Sequence, residues 1–403
     1  MKFNDIKDAQ KRLQGVAHNT PLSRCEYYSQ RCGANIFLKC EHQQKTGAFK
    51  VRGAYNKVAK LIKEENVKSV IASSAGNHAQ GVAYAALKNG IKATIVMPQG
   101  TPIAKVLAVK GYGADVVLHG KFYDDAYARA KELEKELNAT FVHPFNDVDV
   151  MAGQGTISLE ILNDLKNTDV IICPVGGGGL IAGVACAAKE INPKIKIVGV
   201  QAEGADALAR SLKKGELVNL DNINTIADGI AVKKPGDITF EIIKKYVDEI
   251  VTVSDDEIAS TIIELLERTK QVVEPAGATS LAAVLCGKTE VKDKNVVCIL
   301  SGGNIDVGFM HKVIEKGLLK RGRLLDIAIL LQDAPGGLEK VAGIMAKNHA
   351  NITGVRYDRT GTRLQLQEVI LHVTCETSGH EHGEQIIKEL ENNKFKVLKE
   401  EQK

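Results

Sequence analysis

Three short segments of this 403-residue chain hold residues whose types and spacing suit covalent chemistry. The first is Lys45-Thr46-Gly47-Ala48-Phe49-Lys50-Val51-Arg52-Gly53-Ala54, which sets the primary amine of Lys50 between two glycines, soon after the apolar Ile36–Leu38. An amine in water is protonated and a poor nucleophile. Desolvation lowers its pKa and frees the lone pair to form a Schiff base with an aldehyde. Phe49 supplies apolar surface beside it. The second segment is Gly176-Gly177-Gly178-Gly179, between the apolar Ile171–Val175 and the helical pattern Leu180–Lys189. Four glycines let the backbone approach an anion, and the following helix start offers free N–H groups, so phosphate is the natural ligand. The third is Ser301-Gly302-Gly303-Asn304, after the apolar Val296–Leu300, with a hydroxyl suited to a ring nitrogen. Aldehyde, phosphate and ring nitrogen together predict an enzyme built around pyridoxal phosphate, with Lys50 as its Schiff-base lysine.

Each segment also has a plainer reading. A lone lysine at a helix start is most often solvated. The glycine tract is more than a tight strand-to-helix turn needs, but Gly177, Gly179 and Ala182 also match G-x-G-x-x-A, with Glu203 following at the spacing of a dinucleotide site. Taken alone, the tract leaves the two cofactors level. A nucleotide-binding oxidoreductase, however, has no use for Lys50 or Ser301. Ser73-Ser74-Ala75-Gly76-Asn77-His78 joins a strand to a helix. It is read equally well as an N-cap or as a carboxylate-binding loop in which Asn77 donates to a phenolate-like oxygen. A neutral Ser301 hydroxyl would leave the ring nitrogen unprotonated and the ring a weak electron sink, which favours elimination over reactions needing a long-lived carbanion. No His or Cys spacing matches a metal hydrolase or a thiol protease.

These segments need a scaffold that presents the ends of several strands together. From about residue 50 to 169 short apolar strands (Val67–Ala72, Ala93–Met97, Ala114–Leu118) alternate with helical patterns (Ala79–Leu87, a helix to Gly111 capped by Thr101, Asp124–Leu137). The alternation resumes with Val170–Pro174, Ile195–Val200, Glu249–Val253 and Asn295–Leu300. Such alternation implies parallel sheets covered on both faces. The expectation is an α/β chain with a catalytic core over 1–318, its small lobe at about 41–144 and its large lobe at 1–40 and 145–318. A linker is expected at 319–322 within the basic run Lys316–Arg323. Beyond it, Leu324–Leu331, Leu338–Asn348, Ile352–Tyr357, Leu364–Val373, Glu384–Glu391 and Phe395–Leu398 read as β-α-β-β-α-β, the split βαβ plan.

Length predicts two or three domains. Net charge is +4 with both signs interspersed, so neither nucleic acid nor an anionic membrane is an expected partner. Eight cysteines without a CxxC pair read as free thiols of a reducing cytosol. The charged N-terminus lacks the apolar core of a secretion signal, and no apolar run reaches membrane-spanning length.

Over about residues 5–318 the chain resembles the threonine dehydratase (threonine ammonia-lyase) family of fold-type II pyridoxal-phosphate enzymes, whose core is like the tryptophan synthase β chain. The markers are Thr46–Ala54, Ser73–Gly81, Gly153-Gln154-Gly155-Thr156, Gly176–Leu180, Ala227-Asp228-Gly229-Ile230-Ala231 and Ser301–Asn304. The resemblance implies that Lys50 carries the cofactor, beside Phe49. Asn77 partners its ring oxygen, Gly176, Gly177, Gly178, Gly179 and Leu180 hold its phosphate, and Ser301 meets its ring nitrogen. Ser74, Ala75, Gly76, Asn77 and His78 receive the substrate carboxylate. The implied reaction turns L-threonine into 2-oxobutanoate and ammonia, and L-serine into pyruvate.

Serine racemases share most of these motifs, but they carry a serine where Ala75 stands, and alanine delivers no proton. Their divalent cation is held by two carboxylates. Glu203 matches one and Ala209 replaces the other, so a monovalent cation near Glu203 and Ala207 is expected instead. Residues 323–403 resemble one ACT regulatory domain, with Asp333-Ala334-Pro335-Gly336-Gly337-Leu338 as its ligand-loop pattern. An amino-acid or nucleotide effector and a homotetramer built as a dimer of dimers follow from the resemblance. The alternatives are a serine racemase or dehydratase and, from another class, an amino-acid-sensing regulatory protein with an inactive core.

Overall fold

The strands of the first compact unit, residues Met1–Ile305, are runs of Val, Ile, Ala and Cys with almost no alternation. That pattern requires cover on both faces, and the helices packed on the sheets provide it. A six-stranded sheet runs in the order Leu22–Arg24, Asn35–Lys39, Asn295–Ile299, Val170–Pro174, Lys196–Ala202, Glu249–Val253. Only its first strand is antiparallel to its neighbour. A smaller sheet of four parallel strands runs Asp115–Leu118, Lys92–Met97, Ser69–Ser73, Thr140–Phe141. The computed structural model describes residues 1–360 and 364–398. Among these, no helix is long and apolar enough to cross a membrane.

Three helices join the two sheets into one body. Helix Lys50–Glu65 crosses helix Val148–Asp164 where a Cβ on Gly153 would lie 2.6 Å from the Arg52 carbonyl. Helix Val148–Asp164 crosses helix Gly179–Ile191 where a Cβ on Gly155 would lie 2.7 Å from the Gly183 carbonyl. The Gly153-Gln154-Gly155 motif therefore lets backbones touch. Gln154 adds a bond from the Gly53 amide to its Oε1, 3.2 Å. Asp147 caps the middle helix by accepting from the amides of Asp149 and Val150.

Four buried or nearly buried charges lock this arrangement. Arg52 forks onto Glu41 through Nε and Nη2, both 2.8 Å, and onto Glu160 through Nη1 at 2.6 Å and Nη2 at 2.9 Å. Lys39, at the end of its strand, donates to Glu160 at 2.6 Å and to the Thr20 carbonyl at 2.7 Å. Two positive and two negative groups balance, so burial leaves no net charge.

The second unit, residues Asp306–Lys403, begins with helix Val307–Lys320. The joint expected at 319–322 thus falls at a helix end, and the two units divide earlier, between Ile305 and Asp306. Strand Leu324–Gln332, helix Gly337–Lys347, strands Asn351–Asp358 and Glu368–Glu376, helix His380–Asn392 and strand Lys396–Leu398 follow. The four strands pair antiparallel, in the order second, third, first, fourth. This is the ferredoxin-like βαββαβ plan. Ile327, Ile329, Leu331, Val369, Leu371, Val373 and Cys375 alternate inward toward both helices. The third strand starts at Glu368 rather than Leu364, and residues 361–363 lie outside the described chain. Thr101 does not cap its helix: its hydroxyl donates to the Pro98 carbonyl, and Pro102 holds the cap position.

Arg52→Met keeps side-chain length but strands Glu41 in the interior with only the Thr20 hydroxyl bonded to it. Removing one partner of a buried pair costs about 3–5 kcal/mol. The denaturant midpoint of the variant at neutral pH should fall accordingly, and an unchanged midpoint would refute the assignment.

Candidate active site

In open parallel sheets, ligands gather at the carboxyl ends of the strands, and the chemical segments lie there. Ser73 ends a strand of the small sheet. Pro174 and Ile299 end strands of the large one. Backbone pairing draws the Lys50 and Ser301 segments together. Phe49 N donates to Ser301 O at 3.1 Å, Gly303 N donates to Gly47 O at 2.9 Å, and Ala48 bridges Gly302. Gly47 takes φ +71, and a Cβ there would run into the Asn304 side chain.

Lys50 is the first residue of its helix, where the positive end of the helix dipole also disfavours a cation. Its ammonium donates to the Pro144 carbonyl at 2.9 Å and lies 5.4 Å from the centre of the Phe49 ring. The residue as a whole is half-buried. Burial of the amine nevertheless dominates and brings its pKa down to about 8, with the negative charge of Glu274 pulling the other way.

Segment 143–146 lies between Lys50 and the glycine tract. His143 Nδ1 accepts from the amides of Phe145 and Asn146, which leaves Nε2 as the protonated nitrogen. Burial, then the Lys50 charge, lowers the His143 pKa to about 4. His78, bonded through Nε2 to the Val142 carbonyl, falls to about 3 for the same reasons in the same order. Both imidazoles are neutral around the amine.

The Phe145 ring packs on the glycine tract: a Cβ on Gly177 would lie 2.5 Å from it, and one on Gly179 would lie 2.9 Å from the Phe145 backbone. The glycines therefore make room for the protein's own chain as well as for a ligand. The Gly177 carbonyl is taken by the Thr239 hydroxyl and the Gly236 amide. No acceptor within the described chain takes the amides of Gly176 through Leu180. Thr46 Oγ1, Ser73 Oγ and His78 Nδ1 are buried without partners as well. A row of unpaired N–H groups suits a phosphate, and the orphaned polar atoms suit a polar group at the same cleft.

Asn77 opens helix Asn77–Asn89. Its Nδ2 donates to Glu274 Oε1 at 2.8 Å, and its Oδ1 accepts from Asn304 Nδ2 at 2.7 Å. Ser74 Oγ accepts from the Gly76 amide at 3.2 Å, which shapes the turn holding Ala75. Burial and then Asp228 raise the Glu274 pKa to about 7. Glu203 heads a short 3-10 turn with its side chain exposed, and Ala207 is buried at the start of helix Ala207–Lys214. Among the described residues no three His, Cys, Asp or Glu side chains form a metal-sized group. Sequence reasoning missed Glu274, His143 and Phe145. An acid just before Pro275, at the start of an apolar helix, was the one visible signal.

The family described as "Pyridoxal-phosphate dependent enzyme" matches residues 13–302. An L-threonine ammonia-lyase of Thermotoga maritima is 48% identical over 384 residues, 95% of this chain and 96% of that protein. Among solved structures, the processed form of threonine deaminase isoform 2 from Solanum lycopersicum superposes with a TM-score of 0.75 at 42% identity, covering 79% of this chain and 88% of that one. Maize serine racemase superposes with a TM-score of 0.74 at 38% identity, covering 79% and 98%.

The lowered pKa has a direct readout. In cofactor-free protein, reductive methylation of Lys50 followed by peptide mass spectrometry should rise with a midpoint near pH 8, against about 10.4 for surface lysines. A Lys50 midpoint matching the surface set would refute the desolvated amine.

Proposed function

Because the chain belongs to the pyridoxal-phosphate dependent enzyme family, we propose that it is an ammonia-lyase. It would convert L-threonine to 2-oxobutanoate and ammonia, and L-serine to pyruvate and ammonia. The observation that carries this reading is the convergence, in one cleft, of a desolvated Lys50 amine, the unpaired amides of Gly176–Leu180 and the Ser301 segment. Phe49, Lys50, Asn77, Gly176, Gly177, Gly178, Gly179, Leu180 and Ser301 would hold the cofactor. Bound there, pyridoxal phosphate supplies an aldehyde for an amine and a conjugated ring that draws electrons from the substrate α-carbon.

The chain's own groups do the rest. Lys50 Nζ, neutral in a useful fraction near its pKa of about 8, takes the α-proton as general base. The turn 74–78 offers hydroxyl and amide hydrogens to the substrate carboxylate. Ser301, a neutral hydroxyl, does not hold a full proton on the ring nitrogen, which favours prompt loss of the β-hydroxyl. Neutral His78 and His143 add no positive charge beside the amine.

Serine racemase is the second reading, favoured by the likeness to the maize enzyme. It needs a proton donor on the face opposite Lys50, where Ala75 has none to give. The C-terminal unit would act as an ACT domain binding a branched-chain amino acid or a nucleotide through the turn Asp333–Leu338. Its relative of nearly equal length supports a shared two-unit design. A single such unit accords less well with strong isoleucine feedback than with a milder response, so a part in isoleucine biosynthesis is one of two metabolic settings. A monovalent cation near Glu203 and Ala207, a cytoplasmic location and a homotetramer complete the proposal.

Purified full-length protein should form 2-oxobutanoate from L-threonine. Borohydride reduction should leave the cofactor fixed to Lys50 by mass, and Lys50→Ala should lower turnover by at least about a hundredfold. D-serine should form from L-serine at least about a hundredfold more slowly than pyruvate. Rapid D-serine formation would make the racemase reading the better one, and a missing Lys50 adduct would end both. Turnover measured with branched-chain amino acids and nucleotides, and with potassium exchanged for tetramethylammonium, tests the effector and the cation. Indifference to every addition would remove those two parts of the proposal.

A further inference from the structure

One buried acid has no part in the assignments above. Glu274 is 5% exposed and holds the N-cap position of helix Pro275–Leu285. Short polar side chains (Ser, Thr, Asp, Asn) at an N-cap ordinarily turn back to bond the free amides of their own helix. Glu274 makes no such bond. It points into the cleft, where Oε1 accepts from Asn77 Nδ2 at 2.8 Å. Among the described residues, no Lys or Arg nitrogen pairs with it. The chain makes room for it deliberately: a Cβ on Gly302 would lie 2.5 Å from Oε1 and one on Gly229 would lie 3.3 Å away. A buried carboxyl without a cation is costly. The side chain it serves is Asn77.

The Asn77 amide is held at both ends. Asn304 Nδ2 donates to Asn77 Oδ1 at 2.7 Å and to the Thr46 carbonyl at 2.8 Å. If the amide turned over, its carbonyl would face the Glu274 carboxylate and its NH2 would face that of Asn304. Both contacts would be repulsive. One Nδ2–H remains unspent. We propose that Glu274 is a positioning residue that locks the Asn77 amide so that an N–H, never the carbonyl, is presented to the cofactor's ring oxygen. The inference rests on the reading of this cleft as a pyridoxal-phosphate site.

The same link carries charge. Burial and Asp228 raise Glu274 to about 7, while the Asn77 bond, Lys105 and the Asn304 amide oppose the rise. Glu274 in turn acts on Lys50, whose pKa its negative charge raises. Above pH about 7 the carboxylate is a strong acceptor for Asn77. Below it, the neutral acid is a weaker one, and the hold on the amide relaxes.

The test compares cofactor-loaded full-length wild type with Glu274→Gln, Glu274→Asp and Asn304→Ala. The readouts are the visible absorbance of the bound cofactor across the pH range around 7, the cofactor dissociation constant, and kcat and KM separately. The wild-type spectrum should change with a midpoint near pH 7. Glu274→Gln can turn its own NH2 toward Asn77 and release the lock. It should lose that pH response, bind pyridoxal phosphate about tenfold more weakly and lose kcat more than KM. Glu274→Asp should restore part of the pH response. Asn304→Ala, which frees the other end, should weaken cofactor binding while keeping the pH response. A Glu274→Gln protein with wild-type spectrum, pH response and affinity overturns this inference alone. If that variant fails to fold, wild-type affinity and spectrum in Asn304→Ala overturn it equally. A wild type without any visible band overturns the cofactor reading and this inference with it.

Discussion

A guanidinium removed from water holds the catalytic cleft in register. Arg52 stands two residues after Lys50 on the same helix, and its five donors are divided among Glu41, Glu160, Thr156 and the His18 carbonyl. Arginine suits this place because its planar fork meets two carboxylates at once. Lys39 balances the second carboxylate. Such a buried network contributes little net stability compared with an apolar packing of the same volume, but it tolerates only one geometry. It fixes the helix of Lys50 against the end of strand Asn35–Lys39 and against helix Val148–Asp164. The position of the amine therefore depends on residues that never touch a ligand.

From that fixed amine the electrostatics of the cleft follow in order. Lys50 is held out of water and beside neutral imidazoles, so its charge is only weakly favoured. The buried acid whose charge acts on it, Glu274, is itself desolvated and partly protonated near neutrality. Two titrating groups with pKa values of about 8 and about 7 thus share one low-dielectric space. Environments that shift an acid up and a base down toward the working pH are what proton-transfer chemistry requires. The small sheet contributes Asn77 and the 74–78 turn to this space. The large sheet contributes the anion cradle and Ser301.

Much of this was legible beforehand, for reasons that differ by residue. The strand Val170–Pro174 could be bounded to the residue because a continuous apolar stretch between turn residues has few other uses. Thr101 was misread because Pro102 takes the cap position, and the Thr101 hydroxyl donates back to the Pro98 carbonyl. The glycine tract was recognised as an anion loop. That Phe145 also demands those glycines could not be read, since the ring arrives from a separate segment. Gly153 and Gly155 stood out as a motif, but their work is to let three helices touch.

By itself the sequence determined which side chains were available for chemistry, and the periods that placed them at strand ends. Both are local properties, carried by residues within a few positions of each other. Only the tertiary structure decided which of them meet and what charge each holds. The amine of Lys50 is met by a carbonyl 94 positions away, and Asn77 is gripped by Glu274 and Asn304, 197 and 227 positions away. Desolvation and Coulomb fields sum over everything nearby in space, so a pKa, unlike a helix, has no local signature in the chain.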